Sequence, residues 1–229
     1  MEPGQIIQNY YDYLRLIHHF LHPRTYVEIG YRKGESLCLA SPATLTLGID
    51  PNPLVQLPAN SRIKTYTMTS DDFFRDYDLR LELGGRDLDL AFIDGMHLFE
   101  FVLRDFINLE RYATRQTAIL LHDCLPLDDI TSRRERTTSV WTGDVWKVLH
   151  CLVKYRPDLA ILLLEDAQPS GLALVSGLDP ENTVLRDREQ EILDTYLPLG
   201  FSYHVSNIQT IHSLAGDVAD VVRRYRCVA

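Results

Sequence analysis

Four ionisable side chains close two apolar runs of this 229-residue chain: Asp94 and His97 in Phe92-Ile93-Asp94-Gly95-Met96-His97, and His122 and Asp123 in Leu120-Leu121-His122-Asp123. Carboxylates beside imidazoles can do two kinds of chemistry. A histidine, with an unperturbed pKa near 6.5, can act as a general base. The same residue types can instead hold a divalent ion. His97 is the first candidate for a base and His122 the second, with Asp94 fixing the geometry in either case.

A second constellation lies upstream. Val27-Glu28-Ile29-Gly30-Tyr31-Arg32-Lys33-Gly34-Glu35-Ser36 places an acid on an apolar run, followed by an ExGxxxG turn. Gly30 permits a tight turn with close ligand approach, and Gly34 lets a helix start near the sheet. Asp50 lies twenty residues beyond Gly30, where a doubly wound fold uses a carboxylate to accept hydrogen bonds from ribose hydroxyls. The pattern departs from dinucleotide binding, because Arg32 stands where a second glycine would let the backbone approach a pyrophosphate. The ligand reads as a nucleoside without phosphates.

These residues need a scaffold that brings strand ends together. Apolar β-like runs are predicted at Thr25–Ile29, Leu45–Ile49, Ile63–Tyr66, Leu88–Ile93, Ala118–Leu121, Ala160–Leu164 and Leu172–Val175. Between and around them, helical spacing is predicted at Gln5–Phe20, Phe99–Tyr112, Gly143–Tyr155 with Thr142 as N-cap, and Glu181–Tyr196. Strands separated by helices need crossovers, so the class is α/β, doubly wound, with a seven-stranded, mostly parallel sheet. The short link Glu165 to Gly171 turns the last strand antiparallel. Residues 1–22 read as an N-terminal helix packing on a single domain, 23–229. The fourteen polar residues Pro126 to Ser139 exceed a normal α/β connection and read as a lid. The tail from Phe201 onward is ambiguous.

Composition narrows the classes further. With 45% hydrophobic and 24% charged residues the chain is globular. A net charge of -9, without a basic face, argues against a nucleic-acid partner. No apolar run reaches the roughly 18 residues of a membrane span, and Met1-Glu2-Pro3-Gly4 lacks the basic start of a leader, so the expected location is the cytoplasm. Cys38, Cys124, Cys151 and Cys227 lack CxxC spacing, which suits reduced thiols.

From about Thr25 to Asp123 the chain resembles the class I S-adenosylmethionine-dependent methyltransferases, with Glu28-Ile29-Gly30-Tyr31-Arg32-Lys33-Gly34 as first motif and Gly48-Ile49-Asp50 as second. More closely, it is similar to the small-molecule type with IDGxH and HD strand ends, with weaker support from residues 142–147 and 171–175. The resemblance implies that the turn at Gly30, Tyr31, Gly34 and Ser36 holds the methionine portion of the cofactor and Asp50 its ribose. By the same resemblance Ser70 and Asp71 meet the adenine edge, and Asp94 belongs to the cofactor site as well. Glu28 would orient the cofactor's amino group or the loop.

Metal-dependent relatives take ligands from the two strand ends, so the resemblance also implies a divalent ion, Mg, Mn or Fe, with Asp94, His122 and Asp123 as its ligands. His122 and Met96 depart from the acids found in relatives, and an imidazole suits Mn or Fe better than Mg. In the lid, Arg133 and Arg134 could grip an acidic acceptor and Trp141 could wall it, whereas Trp146 and Cys124 read as core. The expected function is methyl transfer to an oxygen, less readily a nitrogen, of a small metabolite. A metal-dependent hydrolase or oxygenase and a non-catalytic nucleoside-binding module are the alternatives, and a homo-oligomer is left open.

Overall fold

The computed structural model describes residues 9–56, 62–217, 219–221 and 223. Seven strands form one sheet in the order β3-β2-β1-β4-β5-β7-β6. They are β1 (Thr25–Ile29), β2 (Leu45–Ile49), β3 (Ile63–Tyr66), β4 (Leu90–Ile93), β5 (Ala118–His122), β6 (Ala160–Leu164) and β7 (Leu172–Ser176). β7 alone runs antiparallel to its neighbours, β5 and β6, while the pairs among β1 to β5 are parallel. This is the predicted doubly wound sheet with a reversed last strand. β1 and β4 are adjacent although far apart in sequence, so the strand order reverses between them and a crevice opens beyond their carboxyl ends. Ile29 is level with Ile49 and with Ile93, and Ile93 with Leu121. The register therefore brings residues 30, 50, 94 and 122–123 to one edge.

The central strands are apolar and buried on both faces, as a parallel sheet requires. Alternate side chains separate into two cores. Val27, Ile29, Ala91, Ile93, Ile119 and Leu121 face α2 (Ser70–Asp76), α3 (Leu79–Glu82), α4 (Phe99–Glu110) and α5 (Trp146–Tyr155). On the other face Tyr26, Leu90, Phe92 and Leu120 meet Tyr13, Leu14 and Ile17 of α1 (Tyr10–Leu21). Burying each such large side chain is worth about 1.5–3 kcal/mol. Asn9 caps α1 by accepting from the Asp12 amide at 3.3 Å, and His22 ends it in the left-handed conformation just before Pro23. The predicted start of this helix at Gln5 and Ile6 lies outside the described residues, as does Cys227.

Several boundaries moved for local reasons. β4 begins at Leu90, not Leu88, because Asp89 turns aside to accept from the Arg24 amide at 2.7 Å and from its guanidinium. The helix expected after Gly34 is only a 3-10 turn, Leu37–Leu39, since Pro42 follows too closely to supply an amide for another turn. α5 starts at Trp146, because Gly143 is left-handed and the Thr142 hydroxyl bonds the Thr131 carbonyl at 2.9 Å instead of capping. The charged helix Glu181–Tyr196 divides into α6 (Val184–Asp187) and α7 (Glu189–Tyr196) at Arg188. There the Arg188 guanidinium lies 4.7 Å from the Tyr155 ring centre and pairs with Glu191. The ambiguous tail forms α8 (Phe201–Ser206) and α9 (Ile208–His212), which pack on α5. No helix among the described residues is long and apolar enough to cross a membrane.

Candidate active site

A cavity of about 660 Å³ opens at the carboxyl ends of β1, β2, β4 and β5. Its floor is the turn after β1. Gly30 has φ +90°, and a Cβ there would lie 2.1 Å from the Asp94 carbonyl oxygen, so glycine is the residue this turn admits. Arg32, itself left-handed, donates its amide to one oxygen of Asp50 at 2.7 Å, and the Asn52 amide reaches the other at 2.7 Å. Two backbone donors thus aim the buried Asp50 carboxylate at the cavity wall and leave further lone pairs for a ligand. Tyr31 and Ser36 line the same cavity.

Glu28 and Gly34 do not line it. Glu28 is fully buried, and the hydroxyls of Tyr26 and Ser36 both donate to it. Burial pushes its carboxyl up to about 8 against the pull of those two hydroxyls. Of the two roles expected for Glu28, orienting the loop is the one its contacts serve. Gly34 contributes a left-handed turn and no helix start.

Ser70 and Asp71 line the far wall, yet Asp71 is held by both arms of Arg104, at 3.0 and 2.8 Å. Beside them Asp105, on α4, is 2% exposed and has one carboxyl oxygen without a hydrogen-bond partner. Burial raises it to about 7, with Ser70 and Arg104 opposing and Asp71 adding to the shift. The sequence reading gave Asp105 no role in the site. The signal was its place between Val102, Leu103 and Phe106, on the helix's apolar side.

The strand-end cluster converges as expected, with roles redistributed. His97 and Asp123 are both left-handed, with φ +56° and +59°. His97 Nδ1 lies 2.8 Å from Asp123 Oδ2 and 2.8 Å from the Trp141 carbonyl, while Nε2 lies 3.5 Å from Asp94 Oδ1. His122 Nδ1 faces Asp94 Oδ1 at 3.0 Å and Asp123 Oδ2 at 3.3 Å. Its Nε2 is buried without a partner, and the Tyr10 ring packs 4.0 Å away.

Burial opposes charge on His122, but Asp94 and Asp123 override it and raise the ring to about 10, which favours its charged form. The same balance, with Asp123 and Asp94 outweighing burial, raises His97. Asp123 is buried, yet His122 and His97 hold it well below the usual carboxylate range. Both carboxylates thus hold the second-choice base, His122, toward its charged form, while His97 lines the cavity with its Nε2 3.5 Å from Asp94 Oδ1.

One ligand atom each from Asp94, His97 and Asp123 lies within 4.8 Å of the others, close enough to share an ion. The sequence expectation had His122 in the place of His97, and His122 Nδ1 faces the same two carboxylates. Two oxygens and one nitrogen suit Mn or Fe better than Mg.

The lid is also corrected. Arg133 pairs with Asp129 at 2.7 Å, and Arg134 reaches Glu100 at 2.6 Å and Asp144 at 2.8 Å. Neither lines the cavity; both staple the loop. Arg136 and Trp141 do line it. Gly143 lets the loop pass so near His97 that a Cβ there would come within 1.8 Å of the His97 carbonyl oxygen. Trp146 and Cys124 are core residues, as expected, and burial raises the Cys124 thiol out of reactive range.

This fold, with a glycine turn after β1 and an acid ending β2, is that of the class I S-adenosylmethionine-dependent methyltransferases. Residues 27–124 match the family model described as a methyltransferase domain. No curated protein matches the sequence. Among solved structures the chain is similar to cofactor-bound Rv0187 from MTB, at 16% identity and TM-score 0.55, over 80% of this chain and 84% of that one. It is also similar to the O-methyltransferase TomG from Streptomyces achromogenes, involved in tomaymycin synthesis and solved with S-adenosylmethionine, at 12% identity and TM-score 0.54, over 76% and 82%. An O-methyltransferase from Bacillus cereus, solved with S-adenosylhomocysteine, aligns at 13% identity and TM-score 0.52, over 76% and 84%.

Proposed function

We propose that the chain transfers the methyl group of S-adenosylmethionine to an oxygen of a small-molecule acceptor. The observation that carries this reading is that the Gly30 turn, the Asp50 carboxylate and the His97 ring open on one cavity. A cavity of this size accommodates a nucleoside beside a small second ligand. The solved neighbours named above include O-methyltransferases with this cofactor or its product bound.

In this reading Asp50 accepts from the ribose diol, and the Gly30 turn takes the methionine end of the cofactor. That leaves the sulfonium near the ends of β4 and β5. In-line attack needs an acceptor oxygen with a free lone pair, so holding the two reactants together and removing one proton carry most of the rate. The His97 Nδ1–H is committed to Asp123 and the Trp141 carbonyl, which leaves the lone pair of the neutral ring on Nε2. The acceptor hydroxyl gives its proton to Nε2 as the O–CH₃ bond forms and the S–CH₃ bond breaks. Asp94 and Asp123 stabilise the resulting imidazolium.

A divalent ion at Asp94, His97 and Asp123 would supply Lewis acidity toward a bound hydroxyl in place of the base, since the one lone pair of His97 would then go to the ion; the donor set fits one. The test of the reading is calorimetry with S-adenosylhomocysteine. Micromolar binding that falls about tenfold or more in Asp50→Ala supports it. Unchanged affinity in Asp50→Ala would remove the ribose assignment, and absence of binding would remove the cofactor.

A further inference from the structure

The lid carries three arginines within residues 133–136, and their states differ. Arg133 pairs with Asp129, and Arg134 with Glu100 and Asp144, so both are engaged in holding the loop. Arg136 is exposed and lines the cavity, which puts it at the mouth. Among the described residues no carboxylate pairs with it. Its Nη2 reaches only the Ser139 carbonyl, at 3.4 Å, while its guanidinium carbon lies 5.9 Å from the centre of the Trp141 ring. A guanidinium has five N–H donors in a planar fork that matches a carboxylate two at a time. Trp141 thus carries a fork whose remaining donors face the cavity mouth without a protein acceptor.

The other cationic side chains on the cavity wall, Arg32 and Lys33, sit on the turn after β1, where the Arg32 amide already serves Asp50. Arg136 belongs with the base, because the Trp141 ring beside it also stacks on His97 with centres 5.1 Å apart. These two legs, 5.1 Å and 5.9 Å, limit the separation of imidazole and guanidinium, so one acceptor about a ring in size can touch both. Met96 and Val140, the sequence neighbours of His97 and Trp141, line the cavity and offer an apolar wall for its body. Resting on the methyl-transfer reading above, we infer that Arg136 binds a carboxylate of the acceptor while the acceptor hydroxyl meets His97, so that the acceptor is a small hydroxy acid. The neutral amide of such an acid has the same shape but presents one acceptor and, in place of the second, a donor that faces the donors of the guanidinium. Arg136 therefore selects the anion over its amide.

The experiment titrates the protein, saturated with S-adenosylhomocysteine, with the ortho, meta and para hydroxybenzoates and with the three matching hydroxybenzamides, by calorimetry. At least one hydroxybenzoate should bind about tenfold or more tightly than its amide, the value of a hydrogen-bonded charge pair. In Arg136→Gln the same two probes should bind within about twofold of each other, because the coupled partner is gone. Arg133→Gln removes an equal charge from the same loop away from the cavity and should keep the whole preference, since its exposed ion pair with Asp129 is worth little. S-adenosylhomocysteine alone should bind Arg136→Gln within about twofold of the wild type. A carboxylate preference that is absent in the wild type, survives in Arg136→Gln or is lost equally in Arg133→Gln would overturn the assignment. A tenfold loss of S-adenosylhomocysteine affinity in Arg136→Gln would overturn it too, by giving the arginine to the carboxylate of the cofactor. Each of these results leaves the methyl-transfer reading standing, whereas failure of the wild-type chain to bind S-adenosylhomocysteine would overturn both.

Discussion

The imidazole of His97 lies flat on the indole of Trp141, with ring centres 5.1 Å apart and planes 2° from parallel, while His97 Nδ1 sits 2.8 Å from the carbonyl of the same tryptophan. One lid residue thus sets both the plane of the proposed base and the fate of its Nδ1 proton. Trp141 is itself fixed, because its Nε1 donates to the Arg133 carbonyl at 2.6 Å, within a loop stapled by Arg134 to Glu100 and Asp144. A residue expected to touch the acceptor therefore also positions the group that deprotonates it.

Trp141→Ala should lower turnover about tenfold, since a desolvated cation–π contact is worth about 1–2 kcal/mol to the imidazolium that forms. Losing that contact should also move the acid limb of the pH profile to lower pH, because the protonated ring loses stabilisation. Trp141→Phe keeps a stacking face and should recover most of both. Identical pH profiles for the wild type and Trp141→Ala would show that the stack does not act on His97.

Turnover should rise with pH through the His97 pKa. The direction follows from the charges: Asp123 and Asp94 raise that pKa above the ordinary 6.5, so the ring is protonated and inactive below it and free to accept a proton above it. Asp123→Asn removes one of the two carboxylates, so the limb should move toward lower pH and turnover should fall about 10²–10⁴-fold, as when an orienting acid is lost from a base. A pH–rate profile of each protein checks both statements. A limb below 6.5 in the wild type would contradict the assignment of His97.

How much of this was legible in the sequence depended on what each feature draws on. The central strands were visible, because a parallel strand buried on both faces is a mostly apolar run, and the turn at Gly30 was visible, because only glycine fits it. The convergence of Asp94, His97, His122 and Asp123 followed from strand order alone. Pairing did not. Arg133 and Arg134 looked like ligand-binding residues until their partners, Asp129, Glu100 and Asp144, were seen, and Asp71 looked free until Arg104 closed on it. The order of the two candidate bases, His97 before His122, was stated from sequence, but the pairing of both rings with Asp94 and Asp123 was not visible there.

Gly30→Ala should be among the most damaging single changes in the chain. An alanine would have to hold φ near +90° and place its Cβ 2.1 Å from the Asp94 carbonyl, so the turn must move away from β4. Strain plus displacement of packed backbone should cost about 3 kcal/mol or more, readable as a drop in the denaturation midpoint. Gly84→Ala has the same sign of φ with open space around it and should cost less, which separates the steric clash from the conformational penalty.

Glu28 gives the fold a pH dependence of predictable sign. Its folded pKa of about 8 lies above the unfolded value of 4.5, so the folded chain holds this proton more tightly than the unfolded one. Its contribution to stability is full below pH 4.5 and is lost as pH rises toward about 8, at a slope of up to about 1.4 kcal/mol per pH unit. Glu28→Gln keeps the shape and an acceptor for Tyr26 and Ser36 while removing the ionisation, so its stability should be flatter across that window and should exceed the wild type's at the alkaline end. Denaturant midpoints measured across the window provide the check, and parallel curves for the two proteins would show that Glu28 ionises without cost in the fold.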